Sequence, residues 1–154
     1  MLALNKQKKI ISEKNMELLI DTNIILDVLQ KREPWFNSSY SIFAACIQGK
    51  HRGYVSAHSL SDLFFILRKS HDLQARKNTI ILLCTHFTVI SESGNDYMSV
   101  VQNEMLDDLE DGLQIRCAEN YKLDFIITRN IKDFKDSAVP AIEPENFLSK
   151  TILP

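Results

Sequence analysis

The segment from Leu18 to Asp27 reads Leu-Leu-Ile-Asp-Thr-Asn-Ile-Ile-Leu-Asp, and it decides the fold class. It opens with a short apolar run that stops at a carboxylate, which predicts a buried strand over about 16–20. Apolar residues then recur at helical spacing as far as Leu29, so a helix follows, with Thr22 or Asn23 as its cap. A buried strand that passes directly into a helix is typical of parallel sheets.

The alternation of strand and helix continues along the chain. Three further apolar runs predict strands at about 53–55, 87–90 and 124–128, and a fifth strand over 138–142 is placed at a sheet edge by Pro140. This pattern predicts an α/β fold in which a mainly parallel sheet carries helices on both faces. The expected helices between the strands cover about 37–48, 59–70, 72–84, 95–105 and 111–121.

Length and charge exclude several classes of protein. The chain has 154 residues, with 18 Lys+Arg against 20 Asp+Glu, and a net charge of −2. These values indicate one globular domain and argue against a wholly disordered chain or a large basic surface that grips nucleic acid. No apolar run reaches membrane-spanning length, and the three widely spaced cysteines suit a reducing compartment. We therefore expect a cytoplasmic protein with no membrane association.

The first 15 residues differ in composition from the rest of the chain. They carry four Lys and one Glu and contain no hydrophobic region of a secretory signal. We predict a flexible basic N-terminal extension over residues 1–15 and a single domain over residues 16–150.

Polar side chains stand at the predicted strand ends and helix starts. Asp21 follows the first strand, Asp62 lies one turn into the third helix, and Asp111 opens a later helix. Asn130 and Asp133 follow the fourth strand. Each has an ordinary alternative explanation, as a helix cap, as favourable charge in a helix's first turn, or as an Asx-turn. Taken together, they are expected in one crevice at the carboxyl edge of the sheet.

Several carboxylates in one crevice repel one another unless a cation neutralises them. Mg²⁺ and Mn²⁺ prefer such oxygen ligands, and a bound divalent ion can activate water and stabilise charge on a phosphate. The four histidines have no metal-site spacing, so we interpret them as ordinary surface or boundary residues. Asp27 is interpreted as an exposed helix charge. Since neither a Gly-x-Ser-x-Gly elbow nor a Gly-rich phosphate loop occurs, the set favours metal-assisted phosphodiester hydrolysis.

Four blocks of the sequence resemble the motifs of PIN-domain nucleases; they occur in the family's order and span about residues 16–145, which is nearly all of the chain. Their resemblance implies a three-layer α/β/α fold with a central, mainly parallel sheet of four or five strands. It also implies a divalent-metal-dependent ribonuclease activity with Mg²⁺ or Mn²⁺ as cofactor. The blocks are 18–27, 55–56 with 60–63, 108–114, and 126–130 with 133–134.

The resemblance assigns roles to individual residues. Asp21 and Asp111 are implied metal ligands, and Asp62 occupies the acidic position on the third helix, where the family usually has Glu. Asn23 and Thr128 are implied to orient a carboxylate or water.

The last block departs from the family's pattern, because Asn130 stands where many relatives have Asp. Either Asn130 binds the metal through its amide oxygen, or Asp133 supplies the missing charge. Asp108 is a supporting residue beside the site. Arg129 either contacts phosphate or forms a salt bridge to a neighbouring carboxylate. The implied catalytic set is Asp21, Asp62, Asp111 and Asp133.

The resemblance further suggests a VapC-like toxin that acts on RNA, forms a homodimer and pairs with a small antitoxin protein. An alternative is a catalytically degenerate PIN-like module that only binds RNA or protein, given the substitutions at Asp62 and Asn130. A phospho-acceptor domain is disfavoured, because Ile90-Ser91 and Ile142-Glu143 lack the Asp and Lys that such a domain needs at these strand ends.

Overall fold

The computed structural model describes residues 15–105 and 107–151. Nearly all of the predicted N-terminal extension, residues 1–14, lies outside these ranges. The elements in chain order are β1 (Glu17–Ile20), α1 (Thr22–Leu29), α2 (Phe36–Ile47), β2 (Arg52–Ser56), α3 (Ala57–Ile66), α4 (Leu73–His86), β3 (Thr88–Ile90), α5 (Gly94–Val101), α6 (Leu109–Asn120), β4 (Phe125–Ile127), β5 (Ala141–Ile142) and α7 (Pro144–Thr151). Two short 3-10 turns cover Leu67–Lys69 and Ile131–Phe134.

The five strands form one parallel sheet in the order β3-β2-β1-β4-β5. The central strand β1 pairs with β2 on one side and with β4 on the other, with Ile20 opposite Ile127. Strand order reverses at β1, which opens a crevice at the carboxyl ends of β1 and β4.

Side chains of β1 alternate between the two faces of the sheet. Leu18 and Ile20 pack into a larger core that includes residues of α1, α2, α3, α4 and α7. Leu19 packs on the opposite face against Cys117 and Ala118 of α6. Helices therefore cover both faces, and the predicted three-layer α/β/α fold is confirmed.

The largest departures from the predicted elements lie at helix ends and at the C-terminus. The third helix begins directly after Ser56 rather than at Ser59 or Ser61, because β2 passes into α3 without a loop. Ser93, not Asn95 or Asp96, occupies the N-cap of α5, and Asp96 completes its capping box. Helix α7 was not predicted; it is held by the burial of Phe147 in the larger core.

No helix in residues 15–105 and 107–151 is both long and apolar enough to cross a membrane.

Candidate metal centre

The crevice at the switch point places Asp21 beside Thr128. Their strands are in register, and the backbone N–H of Asp21 donates to the carbonyl of Ile127 at 3.0 Å. Both side chains are buried, with Asp21 only 4% exposed. The first and fourth motifs, more than 100 residues apart in sequence, therefore meet at the two central strands.

Three neutral donors fix the Asp21 carboxylate. Oδ1 accepts a hydrogen bond from Gln114 Nε2 at 2.8 Å. Oδ2 accepts from Thr128 Oγ1 at 2.7 Å and from Asn23 Nδ2 at 2.8 Å. Asp21 stands at the N-cap position of α1, yet its side chain makes no capping hydrogen bond. The capping explanation for this residue is therefore wrong.

Burial raises the pKa of Asp21, and the hydrogen bonds from Thr128 and Gln114 only partly oppose that effect. Two buried acceptors beside the carboxylate, Asn23 Oδ1 and Gln114 Oε1, have no hydrogen-bond partner among the described residues. Buried polar atoms normally find a partner, so each unpaired oxygen needs an explanation. A cation or ordered water in the crevice would supply one.

The first turn of α6 brings more carboxylates to the crevice. Asp108, expected as a supporting residue beside the site, is the N-cap of this helix and accepts the backbone N–H of Asp111 at 3.1 Å. The pKa of Asp111 is raised to about 7, first by burial and then by the charges of Asp108, Asp21 and Asp133. Asp111 therefore lies within electrostatic reach of Asp21, as expected for two carboxylates that border one crevice.

The remaining predicted site residues lie around this pair. Asp62 is partly buried on α3, near Glu110 of α6. Asp133 is exposed on a 3-10 turn, and its charge contributes to the raised pKa of Asp111. Asn130 is exposed, and its backbone N–H donates to Thr128 Oγ1 at 3.0 Å.

Arg129 forms the salt bridge rather than projecting freely into the crevice. Its Nε and Nη2 donate to the two oxygens of Asp27 at 2.8 and 3.1 Å, and its guanidinium lies 4.0 Å from the centre of the Trp35 ring. Asp27 is fully buried and also accepts from Ser39. The expectation of an exposed Asp27 is wrong, because the helix turns this residue towards α2 and the end of β4, where it meets a cation.

Three polar residues at the carboxyl edge of the sheet were not predicted from the sequence as site residues: Gln114, Glu110 and His58. Gln114 lies three residues after Asp111 and four after Glu110, so its polar side chain shares their helix face. Glu110 accepts from Thr22 Oγ1 at 3.0 Å. His58, taken as an ordinary histidine, sits beside Asp62 and Glu110. Helical spacing offered a signal for Gln114, whereas the approach of α3 to α6 has no local signature.

The donor set suits a hard divalent cation. Asp21 Oδ1 accepts one hydrogen bond and retains a lone pair, and Asn23 Oδ1 is a further buried oxygen without a partner among the described residues. Asp111 lies within electrostatic reach of Asp21. Carboxylate and amide oxygens are preferred ligands of Mg²⁺ and Mn²⁺. A cation would also offset the two causes that raise the pKa of Asp111, first its burial and then the charges of the neighbouring carboxylates.

Comparison with known proteins gives one family and several similar folds. Residues 17–132 match the family model described as PIN domain. The structure of VapBC2 from Rickettsia felis bound to a promoter DNA fragment is 19% identical, with a TM-score of 0.62, covering 83% of this chain and 98% of that chain. FitAB bound to a DNA fragment is 15% identical, with a TM-score of 0.64 and coverages of 82% and 94%.

A third similar structure is VapC20 from Mycobacterium tuberculosis, described as a toxin that cleaves the sarcin-ricin loop. It is 13% identical, with a TM-score of 0.66, and the match covers 82% of this chain and 99% of that chain. No curated protein matches the sequence.

Proposed function

This chain belongs to the PIN-domain family, and we propose that it is a divalent-metal-dependent endoribonuclease that hydrolyses RNA phosphodiester bonds. The observation that carries this proposal is the buried Asp21 carboxylate, fixed by three neutral donors at the switch point and flanked by Asp111. A carboxylate held this way is preorganised to bind a cation, since its orientation is set before the ion arrives.

Asp21 and Asp111 would hold Mg²⁺ or Mn²⁺, with Asn130 as a further oxygen donor. When bound, such an ion activates a water molecule and stabilises charge on the phosphate. Thr128, Asn23 and Gln114 orient the Asp21 carboxylate by hydrogen bonds to its two oxygens. These three side chains thus fix the orientation of the carboxylate that would hold the ion.

Asp111 also couples cation binding to protons. With its pKa raised to about 7, this carboxyl group is about half protonated at neutral pH and mostly protonated below it in the cation-free protein. A cation must displace that proton, so its affinity should increase as the pH rises through 7. The same dependence would appear in the activity.

Asp133, rather than Asn130, provides the negative charge on the β4 side of the crevice. Its charge acts on Asp111, whereas Asn130 is neutral and contributes its backbone N–H to Thr128. The Asn at position 130 therefore removes one charge from the family's pattern without leaving this side of the crevice uncharged. Asp62 completes the catalytic acidic set from α3.

We also propose the biological role of a toxin with a small antitoxin partner, acting as a homodimer. The relevant similarity is to VapC20, which is described as a toxin. An apolar groove between α3 and α4, lined by Leu60, Phe64, Ile80 and Ile81, offers about 550 Å³ for a partner segment. Co-purification with the product of an adjacent short reading frame tests the antitoxin partner. Sedimentation of the pure protein tests the homodimer.

The chemistry is tested by incubating the pure protein with RNA and Mn²⁺, beside Asp21→Asn and Asp111→Asn. The parent protein should cleave the RNA, and cleavage should stop in chelator and be lost in both variants. The control variant Glu104→Gln, which changes an exposed residue outside the crevice, should retain cleavage. RNA binding without cleavage in the parent would instead support the degenerate binding module.

A further inference from the structure

A small cavity opens at the carboxyl ends of β4 and β5, beside the Asp21 crevice. It has a volume of about 270 Å³ and lies between the N-terminus of α2, the residues that follow β4 and the start of α7. Its lining includes Trp35, Arg129, Asn130, Glu143 and Glu145. Pockets for drug-sized ligands measure about 300–1,000 Å³, so this cavity suits one smaller planar group.

Two hydrogen bonds connect the cavity to Asp21. The backbone N–H of Asn130 donates to Thr128 Oγ1 at 3.0 Å, and Thr128 Oγ1 in turn donates to Asp21 Oδ2 at 2.7 Å. Asn130 therefore borders both the cavity and the crevice. If the phosphate of an RNA strand lies at the proposed cation site, an adjoining base of that strand is within reach of the cavity.

The Arg129–Trp35 pair gives the cavity a flat and rigid wall. The guanidinium lies 4.0 Å from the centre of the Trp35 ring, and the two oxygens of Asp27 hold its Nε and Nη2. Trp35 is still 42% exposed, so a large part of the indole remains available for contact. Aromatic rings and guanidinium planes are the surfaces on which single-stranded RNA bases stack.

The polar groups of the lining suit the edge of a base and not a phosphate. Asp27 neutralises the charge of Arg129, and the carboxylates of Glu143 and Glu145 repel an anion. Glu143 Oε2 accepts from Asn146 at 3.1 Å, whereas Glu145 accepts no hydrogen bond from the described residues. Arg129 Nη1 donates none to these residues either. The cavity thus offers a free carboxylate and a free N–H donor.

Guanine is the base that matches this pair of groups. The two adjacent donors on its Watson–Crick edge, N1–H and N2–H, fit the two oxygens of one carboxylate, and its O6 accepts from an N–H. Adenine and cytosine present one amino group on this edge, and uracil presents one imino N–H. A carboxylate therefore gains a second hydrogen bond only from guanine.

We propose that this cavity binds an unpaired guanine of the RNA substrate, with Glu145 accepting from N1–H and N2–H and the Arg129–Trp35 pair providing the stacking surface. The inference rests on the proposed nuclease function and adds a base preference to it. Since the Watson–Crick edge is free only in unpaired RNA, the preferred substrate is a single-stranded loop or end. A cationic side chain of a protein partner is a poorer fit, because the positive charge of Arg129 repels it and Nη1 gains no acceptor from it.

Trp35 is the only tryptophan in the chain, so tryptophan fluorescence reports directly on this cavity. The full chain is titrated in EDTA, which removes divalent cations, with single-stranded oligouridine that carries one central guanosine. The same RNA with inosine, adenosine or cytidine at that place serves for comparison. The guanosine RNA should quench the fluorescence at the lowest concentration. Inosine lacks the 2-amino group and should bind about 10-fold more weakly, through the loss of one hydrogen bond to a charged group.

Variants separate the two parts of the cavity. Glu145→Gln should remove most of the preference for guanosine over inosine, whereas Glu143→Gln and the control Glu104→Gln, at an exposed residue outside the cavity, should keep it. Trp35→Ala should weaken binding of labelled guanosine RNA, measured by fluorescence anisotropy, by about 5- to 100-fold, and Trp35→Phe should recover part of that loss. Circular dichroism identifies any variant that fails to fold, and the comparison of RNAs on the wild type decides the question without any variant.

Equal quenching by all of these RNAs, or quenching by none of them, would overturn the proposal. Quenching by an arginine-containing peptide but not by the guanosine RNA would also overturn it and assign the cavity to a protein partner. A preference lost in Glu143→Gln but kept in Glu145→Gln would overturn the role of Glu145. Guanosine preference in EDTA without RNA cleavage in Mn²⁺ would refute the nuclease proposal alone, and cleavage without guanosine preference would refute the guanine cavity alone.

Discussion

Replacing Asp111 with Asn should stabilise the protein in the absence of divalent cations. The Asp111 carboxylate is partly buried next to Asp108, Asp21 and Asp133, and its pKa is raised to about 7. Ionisation of this group in the folded state is therefore costly, whereas Asn carries no charge and keeps nearly the same shape. The gain in free energy of unfolding should depend strongly on pH.

The direction of this pH dependence follows from the number of protons that the folded and the unfolded protein bind. Between about pH 4 and pH 7 the folded protein holds the Asp111 proton more tightly than the unfolded chain does, so the free energy of unfolding of the wild type decreases as pH rises. The penalty is absent below the unfolded-state pKa and complete above the folded-state pKa. A shift of about three pH units at about 1.4 kcal/mol each sets an upper limit of about 4 kcal/mol. Because solvent screens this partly exposed side chain, we expect about 1–2 kcal/mol.

The measurement is urea unfolding of Asp111→Asn and wild type in EDTA at pH 5 and pH 8. The variant should be the more stable protein at pH 8, and its advantage should shrink at pH 5. Saturating Mn²⁺ should then stabilise the wild type more than the variant, since binding to the folded state adds to its stability. Glu104→Gln is the control for loss of an exposed acid. A less stable Asp111→Asn at pH 8, or an advantage that increases at low pH, would refute the reasoning.

Substitutions at two further sites test packing, one at the buried ion pair beside the crevice and one at the amino end of β2. Arg129→Ala leaves the buried carboxylate of Asp27 without its cation and should lower the free energy of unfolding in urea by about 3 kcal/mol. Arg129→Lys should be intermediate, because Lys lacks the planar fork of the guanidinium. Equal stability of the wild type and both variants would contradict this prediction. Gly53→Ala places a Cβ 2.4 Å from Phe87 and should cost about 2 kcal/mol by the same assay, whereas Gly94→Ala, with open space at its Cβ, should be neutral or slightly stabilising.

The sheet was predictable because its signals are local. Each strand is a short apolar run that ends at a polar residue, and β1 stops at Asp21 as the sequence indicates. Pro140 correctly placed the last strand at an edge. Helix α7 escaped prediction because segment 144–151 is polar on most of its surface, and it is anchored in the core mainly through Phe147.

The centre of the crevice was predictable for a related reason. Parallel strands bring their carboxyl ends together, so Asp21 and Thr128 had to lie close once the strand order was known. The position of Asp62 relative to Glu110 depends instead on how α3 packs beside α6, and no sequence pattern encodes that approach. The Asp27–Arg129 pair was missed because a buried charge resembles an exposed one in sequence until its partner is found.

The Asp27–Arg129 pair also bears on the charge of the crevice. Arg129 follows Thr128 directly, so its guanidinium is the cation best placed to neutralise Asp21. It gives two hydrogen bonds to Asp27 and packs on Trp35 instead, and its charge is the weakest of the influences on the pKa of Asp21, which stays raised. A guanidinium bound to Asp21 would satisfy that carboxylate permanently and compete with a divalent ion for its lone pairs. By holding Arg129 aside, the buried Asp27 preserves an uncompensated carboxylate, which is the property that the proposed cation site requires.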